Sequence, residues 1–553
     1  MGIVQVGLTA LTSKADRLSR FLKQELYFKL NGWTLSALLL GFLMFLPIAE
    51  VLWHLTEPTE NWEHLRKTVL GKYLIGSVIL VLGTTLLSVL VGVSCAWLVA
   101  CCEFPGRKFF EWALVLPLAI PTFVAAYAYF DLMDRLTPLL LWVRLNVSQS
   151  AMITLADTLV YPVTIVVLAS VLYPYVYLVG KIAFSHQGTR LIEAAQTLGH
   201  RPGSVFWRVA FPLARPAIVA GTSLVIMETL NDYGAVLHFG VPTFTTGIFR
   251  TWLSMGDLSG ALSLAAWLML LILVLLLIEK VLRSGAKYHD VGRGAGRPFR
   301  RYPLENTKAV LAVFCCLLPL IFGFMIPLAR IGLWAVLTAE KVLDSSFPKL
   351  ILNSLGAASL TGFTTVVLAL VLAFTARYFK SEAIHASNRL AILGYSIPGS
   401  VVAMGILLVS TQLNYAFDWI LTGSFVILIF AYVTRFLAVA WHPIDSGMEK
   451  SCDQLNDASR ALGTSSWRSL LKINMPLLRN TLVAAGLLVF IDTMKELPLT
   501  LILRPFNFET LSTKTFDLTS QAQIPESSVP ALCIIMVVIL PVIWLNRRME
   551  VRT

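Results

Sequence analysis

Long apolar runs recur through this 553-residue chain and constrain it more than any other feature. Residues 35–49, 74–100, 111–130, 158–179 and 262–278 are nearly free of charge, as are 309–329, 351–376, 391–411, 420–434, 480–491 and 529–546. A helix needs roughly 20 apolar residues to cross a bilayer, and only helices or closed barrels satisfy their backbone groups there. With flanking residues counted, and a fifth span that contains Glu228 and Asp232, the sequence predicts twelve transmembrane helices in an all-α integral membrane protein. The composition agrees: 57% of residues are hydrophobic and 14% charged, against about a quarter charged in soluble domains.

The net charge of +12 does not point to nucleic acid, because the cations are sorted by loop. With the N-terminus placed inside, 31 of the 44 Lys and Arg residues fall on the cytoplasmic side and 11 on the other; Arg330 and Arg435 fall within or beside spans. The positive-inside rule then puts both termini in the cytoplasm, where a basic surface suits anionic lipid headgroups. Residues 1–32 read as a basic cytoplasmic segment without signal-peptide character. The seven cysteines show no CxxC spacing and read as reduced packing residues.

The chain is also an internal duplication. Residues 284–307, rich in Gly, Arg and Pro, read as a cytoplasmic linker. Six-span halves at 33–283 and 308–553 flank it. Ser77, Thr84 and Pro121 match Ser354, Thr361 and Pro398; later, Gly199, Pro212 and Phe244 match Gly463, Pro476 and Phe508. An even number of spans per copy predicts parallel halves about an axis along the membrane normal, with a pathway between them.

Between the fourth and fifth spans of each half lies a short helical segment, a glycine, a basic stretch and a proline. The first copy contains Glu193, Ala194, Ala195, Gly199 and Pro212; the second contains Asp457, Ala458, Ser459, Gly463 and Pro476. Small residues admit close approach by another surface, glycine permits a sharp turn, and proline suits the first turn of the following helix. The pattern resembles the EAA loop of ABC importer permeases, with Asp-Ala-Ser departing from it in the second copy. The resemblance implies a type I importer fold, with these loops seated in two copies of a separate ATPase. No Lys-Ser or Lys-Thr pair follows a G-x-x-x-x-G frame. The chain is therefore expected to be a non-catalytic subunit that binds no cofactor, with ATP and Mg held by the partner.

Acidic residues recur within the fifth and eleventh spans, and Glu228, roughly 18 Å along the helix axis beyond Pro216, is expected near mid-membrane. Glu228 and Asp232 match Asp492 and Glu496, and spacing of four puts each pair on one helix face. With Tyr233 and Lys495 they form a candidate translocation lining, or else a set of buried ion pairs between the halves. The segments that follow, Glu228–Ile248 and Lys495–Leu511, look like those of fused Fbp/Sfu-type permeases. These import ferric iron from a periplasmic binding protein across the bacterial inner membrane. Carboxylate and phenolate oxygens suit a hard ferric cation, but they would equally suit protonated thiamine. A permease of the same architecture for thiamine or a phosphonate remains open, as does a gradient-driven secondary transporter, to which broken helices at Pro121 and Pro398 would also belong.

Overall fold

The computed structural model describes residues 31–55, 62–129, 137–186, 197–199, 202–283, 301–379, 381–418, 420–451 and 453–550. Most of the N-terminal segment and most of the linker lie outside them. The first copy contributes α1 (Gly32–Trp53), α2 (Gly71–Cys101), α3 (Arg107–Ala113), α4 (Thr122–Ala128), α5 (Gln149–His186), α6 (Phe211–Asn231), α7 (Gly234–Phe239), α8 (Phe244–Phe249) and α9 (Leu258–Arg283). The second contributes α10 (Asn306–Leu320), α11 (Ile326–Val342), α12 (Phe347–Phe379), α13 (Glu382–Ala391), α14 (Gly399–Phe417) and α15 (Phe425–Ser451). It continues with α16 (Asp453–Ala461), α17 (Met475–Lys495), α18 (Pro498–Leu503), α19 (Leu511–Ser520) and α20 (Ile524–Glu550).

Eleven helices among the described residues are long and apolar enough to cross a membrane, and up to twelve if one bent pair counts as a span. That pair is Arg107–Ala119 with Thr122–Ala128, bent by 93° at Pro121. The expected span at 111–130 is thus broken, and its counterpart at 391–411 is divided by a 3₁₀ turn at Ile392–Ser396 and by Pro398, ahead of α14. Proline has no N–H to donate and its ring crowds the preceding turn.

Large apolar side chains stand on the exposed faces of the spans, and small and polar residues are admitted inside. On α2, Leu82, Leu86 and Leu90 are exposed, whereas Ser77, Thr84, Ser88 and Gly92 are buried. That is the pattern expected where lipid, and not water, meets the outer face. A Cβ at Gly92 would lie 2.8 Å from Val176 Cβ and 2.9 Å from the Tyr173 carbonyl, so α2 and α5 cross at a distance only glycine allows.

Packing divides the chain into two compact units that do not follow chain order. One gathers the N-terminal residues to Glu50, Gly356–Ser396 and Gly405–Thr493; the other gathers Val51–Leu355, Ile397–Met404 and Met494–Thr553. Within the first unit, α1 sits among helices of the second copy. Ser387 Oγ donates to the Ala37 carbonyl at 3.2 Å, Thr434 Oγ1 to Met44 Sδ at 3.2 Å, and the Trp33 ring lies 5.4 Å from Phe374. Within the second unit the exchange is returned. Tyr129 donates to the Phe322 carbonyl at 2.5 Å, between α10 and α11, and Cys95 Sγ to the Cys315 carbonyl on α10 at 3.7 Å.

Candidate functional site

Glu193, Ala194 and Ala195 lie outside the described residues; the second loop is described in full. Its helix α16 exposes Asp457 and Ala458, while Asn456 and Ser459 are buried. The helix ends in a Schellman motif: Gly463 N–H donates to the Arg460 carbonyl at 3.0 Å and Thr464 N–H to Ser459 at 3.1 Å. Gly463 has φ +73° and Gly199, in the first copy, φ +79°. A Cβ at either would meet nothing within 4 Å, so backbone conformation and not crowding calls for glycine. Beside them Leu462 and Leu198 stand 83% and 78% exposed, at matching positions of the two loops.

Ser459 replaces the second alanine of the Glu-Ala-Ala pattern. Its hydroxyl hydrogen-bonds that of Thr464, across the turn. Three further polar residues hold α16 to the base of the next span. Asn474 Nδ2 donates to Asn456 Oδ1 at 2.9 Å, Asn456 Nδ2 to Asn474 Oδ1 at 3.3 Å, and Ser469 Oγ to Asn456 Oδ1 at 3.1 Å. All three are buried. The residues 264 positions earlier are Ile192, Val205 and Ala210, so the first copy has only apolar groups where the second has this clasp. Sequence reasoning missed it. The available signal was polar residues in one copy facing apolar residues in the other.

Pro212 and Pro476 stand in the first turns of α6 and α17, as expected, but neither helix starts afresh there. Each lies inside a continuous helix, Gly203–Asn231 and Ser466–Lys495, just beyond a π-turn at Phe206–Ala210 or Leu470–Asn474. There Phe211 N–H reaches back to Phe206, and Met475 N–H to Leu470. The wider turn absorbs the clash between the proline ring and the carbonyl four residues before it.

The predicted acidic pairs do not share helix faces. Helix α6 ends at Asn231 and α17 at Lys495, so Asp232 and Glu496 fall just past the ends. Both are buried. Asp232 Oδ1 accepts the N–H groups of Ala235 and Val236 at 2.9 and 3.2 Å, and Glu496 Oε1 that of Leu499 at 3.2 Å; each carboxylate caps the short helix that follows. Glu228 and Asp492 are partly exposed within their spans. Tyr233 is buried and stacks on Phe249 with ring centroids 3.8 Å apart. Among the described residues no three His, Cys, Asp or Glu side chains are grouped to hold a metal ion.

The ends of α6 and α17 instead form a reciprocal latch. Asn231 Oδ1 accepts from Gly399 N–H at 2.7 Å, at the start of α14. Lys495 Nζ donates to the Leu118 carbonyl at 3.3 Å, just before the break at Pro121. Each copy's fifth span thus reaches the broken third span of the other, with an acceptor meeting a helix N-terminus and a cation meeting a carbonyl. Next to this latch Gly234 lies so close to Phe123 that a Cβ would come within 2.5 Å of it.

Beyond the latch the copies keep one plan. Thr243 and Thr510 form capping boxes with Thr246 and Thr513. Ser77 Oγ accepts from Phe244 N–H at 3.1 Å, and Ser354 Oγ from Leu511 N–H at 2.7 Å. Phe244 therefore corresponds to Leu511, not to Phe508 as the sequence match suggests. The second copy has a longer turn, which includes Asn507 at φ +59° and the bond from Phe508 N–H to the Pro505 carbonyl.

These features define a class: a helical membrane protein of two like copies, each with an exposed loop ahead of a proline-bearing span and a pair of short capped helices beyond it. The family of binding-protein-dependent transport system inner membrane components matches residues 88–286 and 365–553, and the chain belongs to it. It is a multi-pass permease of the inner membrane. It is 28% identical over 519 residues, 93% of this chain and 97% of the other, to the Fe(3+)-transport system permease protein FbpB 2 of Haemophilus influenzae. It is 24% identical to the ferric transport system permease protein FbpB of Actinobacillus pleuropneumoniae, over 55% of this chain and 46% of the other. The molybdenum transport system permease protein ModB of Escherichia coli is 28% identical over 35% of this chain and 85% of its own length.

Proposed function

We propose that this chain is the permease of an ABC importer that passes ferric iron from a periplasmic binding protein to the cytoplasm, with both termini in the cytoplasm and two copies of a separate ATPase at the paired loops. The observation that carries the reading is the exposed, clasped helix α16 with Leu462 and Gly463 at its end, repeated at Leu198 and Gly199. Such a helix can receive a push and pass it to α17, whose far end holds the latch at Lys495. ATP binding draws the loops together, the latch parts to admit cargo, and hydrolysis restores the closed arrangement.

Ferric iron is favoured over thiamine or a phosphonate by similarity along almost the whole length of a ferric permease. Asp232 and Glu496 are engaged in capping, which leaves Glu228 and Asp492 as the partly exposed carboxylates of the proposed lining. The test is reconstitution with ATPase and binding protein in liposomes, followed by ATP-dependent entry of ferric iron and of thiamine. Iron entry that requires ATP is expected. Entry of thiamine alone refutes the cargo, and uptake driven by an ion gradient without ATP refutes the ABC reading.

A further inference from the structure

A half-open cavity of about 390 Å³ lies among α7, α8 and the first turn of α2, at the end of α6 away from its loop. Tyr73, Tyr233, Leu237, Phe249, Arg250 and Ser254 are among its lining residues. Among the described residues that line it, Arg250 alone is charged. Among the described residues no carboxylate pairs with that guanidinium.

The second copy explains what is missing. The residue just past the end of α18 is Arg504, and Asp517 follows Thr510, the cap of α19, at the spacing by which Arg250 follows Thr243. Arg504 Nη1 and Asp517 Oδ2 are 2.9 Å apart. In the first copy the residue just past the end of α7 is Gly240, and the acid is replaced by Arg250. One copy thus closes this position with an internal Arg–carboxylate pair. The other opens a cavity there and leaves a cation without its acid.

From this difference we infer that the cavity receives an aspartate or glutamate side chain of the periplasmic binding protein. The inference rests on the orientation and partner proposed above. The charge is complementary, and the second copy carries an Arg–carboxylate pair of the same kind here, with the two charges in exchanged places. Exposed Leu253 and Met255 beside the cation supply an apolar rim of the kind that surrounds an interfacial anchor. A desolvated charge pair at such a rim contributes to partner choice and to salt-sensitive association.

The test uses the full complex in phosphatidylcholine liposomes, with ferric-loaded binding protein titrated against ATPase stimulation. Arg250→Glu should raise the half-maximal concentration about tenfold or more and flatten its salt dependence, with Arg250→Lys in between. Ser254→Glu, one helical turn on, should supply the missing acid internally and raise the half-point while Arg250 stays in place. A half-point unmoved in Arg250→Glu overturns the inference. So does a shift seen only with phosphatidylglycerol present, which would assign the cavity to a lipid headgroup, or one reproduced by adding phosphate, which would assign it to a free anion. A wild-type complex that no ferric binding protein stimulates overturns the functional reading and this inference together; a responsive wild type with an unmoved variant overturns the inference alone.

Discussion

Replacing Asn456 by alanine should loosen the seat of α16 by a calculable amount. The side chain accepts from Asn474 Nδ2 and Ser469 Oγ and donates to Asn474 Oδ1. Asn474 and Ser469 are 0% exposed, so water does not replace the lost partner. Asn474 keeps its bond to the Ser469 carbonyl at 3.0 Å, which leaves Asn474 Oδ1 and the Ser469 hydroxyl stranded. At about 1–3 kcal/mol for each buried unsatisfied group, less what the serine regains by rotating, the seat of α16 weakens by about 3 kcal/mol. That is about a hundredfold shift toward the unseated helix. The assay is cargo imported per ATP hydrolysed by the reconstituted complex, together with protease cleavage between residues 453 and 464. A several-fold fall in cargo per ATP and faster cleavage are expected. The triple variant Asn456→Ile, Ser469→Val, Asn474→Ala copies the first half and removes every polar member at once, which is close to neutral when shape is kept. It should recover most of the loss. If the triple variant is no better than the single one, or the single one cleaves no faster than wild type, the clasp does not hold the helix.

Other positions give further tests. Gly463→Val forces a β-branched residue to φ +73° and should cost about 1–2 kcal/mol, lowering uptake, whereas Gly463→Asn should be nearly tolerated; uptake rates at equal membrane levels check the order. Gly92→Leu drives a side chain into Val176 and Tyr173 and should destabilise the chain by about 2–3 kcal/mol, seen as a lower melting temperature in detergent. Lys495→Met removes a charge-assisted bond of about 1.5–3 kcal/mol from the latch, and Asn231→Leu removes its reciprocal. Both should raise ATP-independent leak from dye-loaded liposomes, and Lys495→Arg should restore closure.

The spans were legible because twenty apolar residues in a row have few other uses, and the duplication was legible because its prolines and glycines recur at matched positions. What stayed hidden depends on where helices stop. Glu228 and Asp232 sit four apart and read as one face, yet α6 ends between them and the second carboxylate turns to cap α7. The π-turns that carry α6 and α17 back past Pro212 and Pro476 leave no mark in composition. The helices α7, α8 and α18 are too short for a period to emerge. Ser77 and Ser354 matched in register, but only the folded chain gives them a task, each receiving the first N–H of a short helix far away in sequence. The clasp at Asn456 was least visible, since a polar residue on an amphipathic helix reads as a solvated one until its partners are known.

The exchanged first helices bear on how the protein is made. The Ser387 hydroxyl that seats α1 lies 350 residues downstream of Ala37. At about 5–20 residues per second, α1 waits roughly 20–70 s between leaving the ribosome and meeting its seat. Its span, of mean hydropathy 2.2, lets lipid alone hold it meanwhile. Helix α10 has no such wait, because Cys95, facing Cys315, was synthesised 220 residues earlier. The two copies share a plan in space but not a schedule: the opening helix of the first is stranded until the second is well under way, whereas that of the second arrives to a place already prepared.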